Sequence, residues 1–308
     1  MASVLSAPHY HNEDAAFAYV ERIVWPNGAV CPHCGEKERV SRMGGSATRK
    51  GLHKCYACRK QFTVRQGTIF ESSHVPLHIW LQAIFFVAGS KKGVSSNQLH
   101  RTLGVTLKTA WFMSHRIREA MRDGALPQLG GEGQIVEVDE TYIGNRKNQG
   151  NYRGGYQHKM KVLSLVERGT GRARSVHVEQ VNINTVLPIV KANIARETHI
   201  MTDSYGVYKN IIRQNFADHG VIRHEFDQYV DGIIHTNTVE GFFSIFKRGM
   251  RGVYQWCSEK HLHRYLAEFD FRYSNRVALG CNDVERADRL LRGIIGKRLT
   301  YQTTLARV

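Results

Sequence analysis

Residues 134–144 read QIVEVDETYIG and carry the pattern from which the architecture of this chain can be inferred. The branched residues Val136 and Val138 predict a β-strand, in which side chains alternate between two faces. Alternation places Glu137 and Asp139 together on one face and the two valines on the other. A strand in the middle of an α/β sheet is normally apolar on both faces. Either this strand therefore lies at a wet edge or end of its sheet, or Asp139 binds a metal ion in an active site.

The composition is that of a globular protein that binds a polyanion. The 308 residues are 42% hydrophobic and carry a formal charge of +16. Between Arg39 and Arg118 there are fourteen Lys and Arg residues and one acid, Glu71, a local balance of +13. A solvated surface usually mixes signs, and a field of one sign favours nucleic acid. A membrane surface is the weaker alternative because no amphipathic basic helix accompanies the charge.

The sequence also indicates where the protein acts. The longest apolar run, residues 79–88, is too short to span a bilayer. The N-terminus has no basic flank followed by an apolar core, so no signal peptide is expected. We therefore expect a cytoplasmic, nucleoid-associated protein with no membrane partner.

Two C-x-x-C pairs separated by 20 residues predict a four-thiolate zinc site. Disulfides fit a cytoplasmic chain poorly, and a thioredoxin-like motif would use a single pair inside a βαβ unit. Four thiolates leave no open coordination position, so the zinc ion would be structural. Lys54, Arg59 and Lys60 lie in the same segment and suggest contact with phosphate. The predicted ligands are Cys31, Cys34, Cys55 and Cys58.

Residues 76–121 predict three helices, the last two joined by a short turn at Gly104. Helix, short glycine-containing turn, helix is typical of the helix-turn-helix motif. Lys108, Thr109 and Arg116, together with Arg118, would make the second helix basic and bring it to DNA. An ordinary αα-hairpin is the alternative.

After a glycine-rich linker over residues 122–133, the chain supplies two further carboxylates. HIMTDSYGVY, residues 199–208, predicts a short strand that ends in Asp203. HTNTVEGFFSIFKR, residues 235–248, predicts a helix that carries Glu240, and either Thr236 or Asn237 could cap it. Lys247 lies two turns beyond Glu240 on the same face. For this helix alone, a Glu–Lys pair is equally well explained as an ordinary pair of exposed charges on a surface helix.

The three carboxylates suggest one site. The predicted order is strand, strand, strand, helix, strand, helix, with Asp139, Asp203 and Glu240 on the first strand, the fourth strand and the last helix. This order matches a ribonuclease-H-like α/β core. Three carboxylates suit two divalent cations, which activate a nucleophile and stabilise the leaving oxygen of a phosphodiester. Oxygen ligands favour Mg²⁺ or Mn²⁺ over Zn²⁺.

The segments VDETYIG, MTDSYGVY and HTNTVEGFFSIFKRGMRG resemble the three signature segments of DDE transposases of bacterial insertion sequences, of the ISXO2-like type with an N-terminal zinc ribbon. The resemblance covers about residues 15–300. It implies Asp139, Asp203 and Glu240 as metal ligands and Lys247 as a DNA contact near the scissile phosphate, with Arg248 beside it. Glu137 and Glu140 are expected either to support these ligands or to be exposed.

The resemblance implies a reaction in which activated water cuts one strand at the transposon end and the freed 3′-hydroxyl attacks target DNA. The expected partners are the terminal inverted repeats, target DNA and further copies of the chain assembled on DNA. One alternative is a ribonuclease-H-like nuclease or resolvase, which the zinc ribbon and helix-turn-helix disfavour. Another is a DNA-binding regulator with an inactive catalytic domain, which the complete Asp–Asp–Glu–Lys set disfavours.

We expect four segments along the chain. They are an N-terminal helix and zinc ribbon (1–72), a helix-turn-helix region (73–125), a catalytic domain (131–278) and a C-terminal tail (279–308).

Overall fold

The computed structural model describes residues 3–122, 127–146, 156–204, 208, 215–222 and 234–299, which divide into two compact units. Unit 1 comprises Met1–Ser90, Val94–Arg122 and Asn282–Val308, and unit 2 comprises Lys91–Gly93 and Asp123–Cys281. The division into four segments stays a prediction. No helix in the part of the chain described here is long and apolar enough to cross a membrane.

Unit 1 begins with a helix and a small sheet. Helix α1 (Glu13–Val24) starts at Asn12, whose side chain accepts a hydrogen bond from the backbone amide of Ala15, and it buries Phe17 and Val20. The sheet is antiparallel, with its strands in the order β1-β2-β3. The three strands are β1 (Val40–Arg42), β2 (His53–Cys55) and β3 (Gln61–Phe62).

Three helices follow, as predicted: α2 (Leu77–Gly89), α3 (Ser96–Leu103) and α4 (Leu107–Ala120). Gly104 ends α3 in the left-handed conformation, with φ of 65°, and the Thr106 side chain caps α4. The predicted C-terminal tail contains a helix of this unit, α8 (Asp283–Arg292), in which Arg286 donates to the carbonyl oxygen of Ala88 at the end of α2. Residues 300–308 of that tail lie outside the described residues.

The prediction that Arg116 on α4 contacts DNA is wrong, because Arg116 and Arg118 are both buried. Arg116 is 4% exposed and Arg118 is 1% exposed. The Arg116 guanidinium donates to the carbonyl oxygens of Ile69, Glu71 and Leu299. The C-terminal half of α4 is surrounded by protein, so Arg116 binds backbone carbonyls and does not face DNA. The exposed surface of α4 lies at its N-terminal half.

Unit 2 is a five-stranded mixed sheet in the order β6-β5-β4-β7-β8. Strands β5 and β6 run antiparallel to their neighbours, whereas β4, β7 and β8 are parallel. The mixed α/β architecture expected of the catalytic domain is confirmed, but β8 was not predicted. The strands are β4 (Ile135–Ile143), β5 (Met160–Glu167), β6 (Ala173–Val178), β7 (His199–Asp203) and β8 (Asp218–Ile222).

Helices cover both faces of this sheet. Helix α5 (Ile183–Asn193) buries Val186 and Val190 against the face that carries Val136 and Val138. The opposite face packs against α6 (Asn237–Gly249) and α7 (Glu259–Ser274) through an aromatic core that includes Phe242, Phe246 and Phe269. Strand β4 is therefore central and covered on both sides, which excludes the edge-strand interpretation.

The burial of Arg116 predicts that Arg116→Ala lowers the stability of unit 1 by about 2–3 kcal/mol, because buried carbonyl oxygens lose a charged donor. Denaturant unfolding of the full chain measures the loss, and hydrogen exchange of the α4 peptides assigns it to unit 1. The matched control is Lys108→Ala on the exposed face of the same helix, which should stay within about 0.5 kcal/mol of the unchanged protein. A stable Arg116→Ala protein with weakened DNA binding would contradict this assignment.

Candidate functional site

The four predicted zinc ligands converge in unit 1. One Sγ from each cysteine lies within 4.8 Å of the other three, and among the described residues this is the only such group of three or more potential metal ligands. Cys31 Sγ lies 3.7 Å from Cys58 Sγ, and Cys34 Sγ lies 3.6 Å from Cys55 Sγ. Four sulfurs at about 2.3 Å from a tetrahedral Zn²⁺ ion would lie about 3.8 Å apart. The cluster therefore fits one structural zinc ion.

Each cysteine pair sits on a tight turn that continues into the left-handed conformation. Gly35 follows the first pair with φ of 77°, and Arg59 follows the second with φ of 61°. Glycine adopts this conformation freely, whereas arginine does so at a cost of about 1–2 kcal/mol. A backbone hydrogen bond closes each turn. In the first the amide of Gly35 donates to the carbonyl oxygen of Cys31, and in the second the amide of Cys55 donates to the carbonyl oxygen of Lys60.

The remaining predicted DNA contacts of unit 1 lie at its surface. Arg59 and Lys60 are exposed, and the half-buried Lys54 holds its Nζ 5.4 Å from the centre of the exposed Tyr56 ring. On α4, Lys108 is exposed and Thr109 is half-buried. Contact of these side chains with DNA stays a prediction.

In unit 2, Asp139 is the central residue of β4, and Asp203 is the last residue of the adjacent strand β7. Strands β4 and β7 pair in parallel with Glu137 opposite Met201. This is the last pair of the ladder, and the same direction continued by two residues brings Asp139 toward Asp203, whose charge raises the pKa of Asp139. The carboxyl ends of parallel strands are where α/β folds place their sites.

The Asp139 carboxyl lies in an unfavourable electrostatic environment for a negative charge. Burial, followed by the nearby Glu140, Asp203 and Glu240 carboxylates, raises the pKa of Asp139 to about 8. The backbone amide of Glu140 donates to Asp139 Oδ1 over 2.7 Å and offsets part of this effect. Asp139 forms no ion pair with any described residue. A divalent cation would neutralise this concentration of carboxylates.

Glu240 lies in the first turn of α6 and is exposed. Its Oε1 accepts a hydrogen bond of 2.8 Å from the hydroxyl of Thr236. Glu240 is near enough to raise the pKa of Asp139. The oxygens of Asp139, Asp203 and Glu240 do not, however, form a group within 4.8 Å of one another in the described part of the chain. Their shared role as metal ligands stays a prediction.

Lys247 lies near the other end of α6, about 10 Å from Glu240 along the helix axis. The side chain is half-buried, with Nζ 6.0 Å from the centre of the Phe243 ring. Burial and the positive charges of Arg251 and Lys159 lower the pKa of Lys247, while Asp139 raises it. Lys247 is therefore within electrostatic reach of Asp139. Its neighbour Arg248 is exposed and donates through Nε to the carbonyl oxygen of Ser244.

Glu140 faces the side of the sheet opposite Asp139 and accepts a hydrogen bond from the hydroxyl of the buried Tyr208. Burial raises the pKa of Glu140, and the charge of Asp203 adds to the effect. Glu140 is thus half-buried and bonded, and it contributes negative charge to the Asp139 environment.

Glu137 is fully buried and joins β4 to the start of α6. Its Oε2 accepts a 2.8 Å hydrogen bond from the backbone amide of Val239, and its Oε1 accepts a 2.5 Å bond from Arg168 Nε. Arg168 Nη2 also donates to the carbonyl oxygen of His235, 2.6 Å away. The predicted cap residue Thr236 makes no side-chain cap bond to the helix. The N-terminus of α6 is therefore capped by a carboxylate from the neighbouring strand.

The models of two known protein families match parts of this chain. The model of a transposase zinc-ribbon domain matches residues 11–61, which hold the four cysteines. The model of an ISXO2-like transposase domain matches residues 128–274, which hold the carboxylates and α6. Residues 128–274 are therefore similar to ISXO2-like transposase domains. The family resemblance inferred from the sequence is thereby confirmed, as is the zinc ribbon.

Two further proteins are similar to this chain. An uncharacterized protein in transposable element ISH50 of Halobacterium salinarum is 27% identical over 278 residues, covering 85% of this chain and 90% of that protein. A chain in the cryo-EM structure of a simian T-cell lymphotropic virus intasome in complex with PP2A regulatory subunit B56 gamma aligns with 15% identity and a TM-score of 0.30. The alignment covers 56% of this protein and 63% of that chain, and a likeness of this size carries no functional argument.

Sequence reasoning did not identify the anchoring role of Glu137 or its partners Arg168 and His235. Arg168 is 31 residues and Val239 is 102 residues away from Glu137 in sequence, so no local pattern connects them. The one available signal was a second acidic residue on the inward face of an apolar strand, since a buried carboxylate requires a partner.

The cysteine geometry predicts that Cys55→Ser abolishes zinc binding, because a hydroxyl replaces one thiolate ligand and metal binding is coupled to folding in such small modules. Elemental analysis should find about one zinc ion per unchanged chain and almost none in the variant. Hydrogen exchange over residues 31–62 should lose its protection at the same time. Cys281→Ala, outside the cluster, should keep its zinc. Freshly purified protein without zinc would contradict the assignment.

The Glu137 anchor predicts that Glu137→Ala destabilises unit 2 by about 3–5 kcal/mol, because it leaves Arg168 without its carboxylate and the α6 N-terminus uncapped. Glu137→Gln keeps one acceptor and should cost less. Denaturant unfolding measures both, and Glu132→Ala, an exposed acid preceding the same strand, is the control expected to change stability by less than about 0.5 kcal/mol. Equal stability of the Glu137→Ala and Glu132→Ala proteins would refute the anchor.

Proposed function

We propose that the protein is a DNA transposase that cleaves at the ends of an insertion sequence and joins the 3′ ends to target DNA. The observation that carries the proposal is that Asp203, at the end of the strand next to β4, and Glu240 are both near enough to Asp139 to raise the pKa of its carboxyl. The transposase domain match over residues 128–274 supports it. Each reaction step is an in-line phosphoryl transfer, so one site can serve both.

Asp139, Asp203 and Glu240 would hold Mg²⁺ or Mn²⁺. The residues fit this role because all three offer hard oxygen donors and Asp139 forms no ion pair with a described side chain. When bound, the divalent cations supply positive charge that activates the attacking oxygen and stabilises the leaving oxygen. The chain itself fixes the donors, through strand register for the two aspartates and through the Glu137 anchor for the helix of Glu240.

Lys247 would bind a phosphate that adjoins the cut. Its position on the Glu240 helix, about two turns along, makes it too distant to share a cation with Glu240 but leaves it facing the same strand of DNA. Partial burial favours this role, because a lysine held among Phe243 and its neighbours loses less side-chain entropy on binding. Arg248, exposed beside it, would contact the same backbone.

DNA affinity would come largely from unit 1. The residues in question are the exposed cations of the zinc ribbon and the N-terminal half of α4, where Lys108 and Thr109 lie. In a helix-turn-helix, it is this half of the second helix that contacts base edges. We assign the terminal inverted repeats to unit 1 and expect copies of the chain to assemble on the two ends. Arg116 is excluded from this surface by its burial.

The proposal predicts that Asp203→Ala lowers both cleavage and joining by at least about 10³-fold, because a metal ligand is lost. Binding to the DNA that flanks the gene should be retained, because unit 1 is unchanged. Lys247→Ala should slow both steps less, by about 10- to 100-fold. Asp218→Ala, an exposed aspartate at the start of the neighbouring strand β8, is the matched control and should react normally.

The assay uses purified protein, Mg²⁺ or Mn²⁺ and labelled DNA flanking its own gene, with both products separated by electrophoresis. Cleavage without joining would favour the nuclease or resolvase alternative. Binding without either reaction would favour the regulator with an inactive catalytic domain. Normal joining by the Asp203→Ala protein would overturn the catalytic assignment.

A further inference from the structure

Trp256 is the most exposed large hydrophobic side chain among the described residues, with 72% of its surface accessible. It follows α6 in unit 2, just beyond a π-helical turn (Met250–Tyr254). A bulky indole in water is unfavourable by about 25 cal/mol for each Å² of apolar surface. If the chain holds the Trp256 side chain in this exposed position, the indole is expected to bind a partner.

The chain on both sides of Trp256 is firmly anchored. The Tyr254 hydroxyl donates to the fully buried Glu268 carboxylate, which also forms a 3.1 Å ion pair with Arg272. On the other side, Cys257 is buried. Between them Gln255 adopts a φ of 60°, a strained conformation that costs about 1–3 kcal/mol. This strained residue turns Trp256 outward between the half-buried Tyr254 and the buried Cys257, so the indole is a fixed surface feature.

Beside the indole lies a cavity of about 230 Å³. This is smaller than the roughly 300–1,000 Å³ of pockets for drug-sized ligands and suits a single ring system. Two cations line it, Lys159 and Arg251, and Gly144 lies at the end of the strand that carries Asp139. Arg251 is exposed and forms no ion pair with a described residue. Lys159 and Arg251 also lie within electrostatic reach of Lys247.

We propose that this cavity binds one unpaired nucleobase of the DNA strand near the cut, stacked on the indole of Trp256, with its flanking phosphates held by Arg251 and Lys159. Aromatic stacking with cations alongside is how proteins bind unpaired nucleotides without reading their sequence. An enzyme acting at a DNA end gains from separating a base at that point, since an unpaired base costs least to move out of the stack. The inference rests on the proposed function for its choice of DNA.

The indole alone does not suit contact with a second protein copy. A stable protein interface buries about 1,200–2,000 Å² with an apolar centre, whereas this site is one aromatic ring beside two cations. Phosphate is the complementary charge, and stacking is the interaction that one flat, exposed ring can make.

The test compares two DNA duplexes that carry the same number of phosphates. One ends in three unpaired thymidines and the other in three abasic units. The cations of unit 1 bind the phosphates of both duplexes equally, so their contribution cancels in the ratio of the two affinities. The full chain with its zinc bound is titrated with each duplex by fluorescence anisotropy, in a buffer without Mg²⁺ or Mn²⁺ and without a chelator that would remove the zinc. We expect tighter binding to the thymidine duplex by about 5- to 150-fold, the contribution of one stacked base.

Trp256→Ala should bring this ratio close to one, and Trp256→Phe should retain much of it because a ring remains. Val277→Ala, which removes another exposed apolar side chain of unit 2, should leave the ratio unchanged. With 5-iododeoxyuridine in the overhang, photocrosslinking followed by mass spectrometry should identify Trp256. Thermal melting establishes that each variant is folded.

A ratio near one for the unchanged protein, or one that survives in the Trp256→Ala protein, would overturn the nucleobase site. So would a Trp256→Ala protein that binds both duplexes normally but sediments as a smaller species, which would assign Trp256 to a contact between copies. Failure of the proposed function is distinguishable. A protein that neither cleaves nor joins DNA could still show the ratio, and an active transposase could lack it.

Discussion

One buried carboxylate connects the sheet of unit 2 to the helix that carries half of the proposed chemistry. Glu137 would be strongly unfavourable in the core by itself, and the first backbone amides of α6 would lack acceptors. The hydrogen bond between Glu137 and the Val239 amide satisfies both, and Arg168 balances the charge. Because Asp139 follows two residues later on the same face of β4, this bond also determines where Glu240 stands relative to Asp139. Fold stability and site geometry thus depend on the same contact.

Most of the exposed positive charge considered above lies in unit 1, whereas unit 2 holds the group of carboxylates around Asp139. The cations of unit 1 are numerous and mostly at the surface, although Arg116 and Arg118 serve the interior. In unit 2, the carboxylates around Asp139 would repel a phosphate backbone by themselves. Lys247 lies beside them, where it lowers the local negative potential without neutralising the centre through an ion pair. A site that takes divalent cations and a polyanion together requires both signs at close range.

The parts of this structure that the sequence predicted are those encoded by local spacing. The two C-x-x-C pairs and the strand around Asp139 each depend on residues that are close in sequence. The misassigned parts depend on tertiary contact. Arg116 carries the same charge whether it is exposed or buried, and only the chain packed around α4 decides between them. Strand β8, with the sequence DHGVI, has too little apolar alternation to be recognised before its neighbour β7 is placed.

The charge pattern of α6 has two explanations, and burial separates them. Glu240 in the first turn and Lys247 and Arg248 in the last turn are what the helix dipole favours on any surface helix. An ordinary helix, however, would begin with its own side-chain cap and would have no need of a fully buried glutamate from a central strand. Here the cap comes from Glu137, and Glu240 on the charged face of the helix is near enough to Asp139 to raise the pKa of its carboxyl. The charged residues at the two ends of α6 can therefore stabilise the helix and also serve the proposed site around Asp139. The two explanations do not exclude each other.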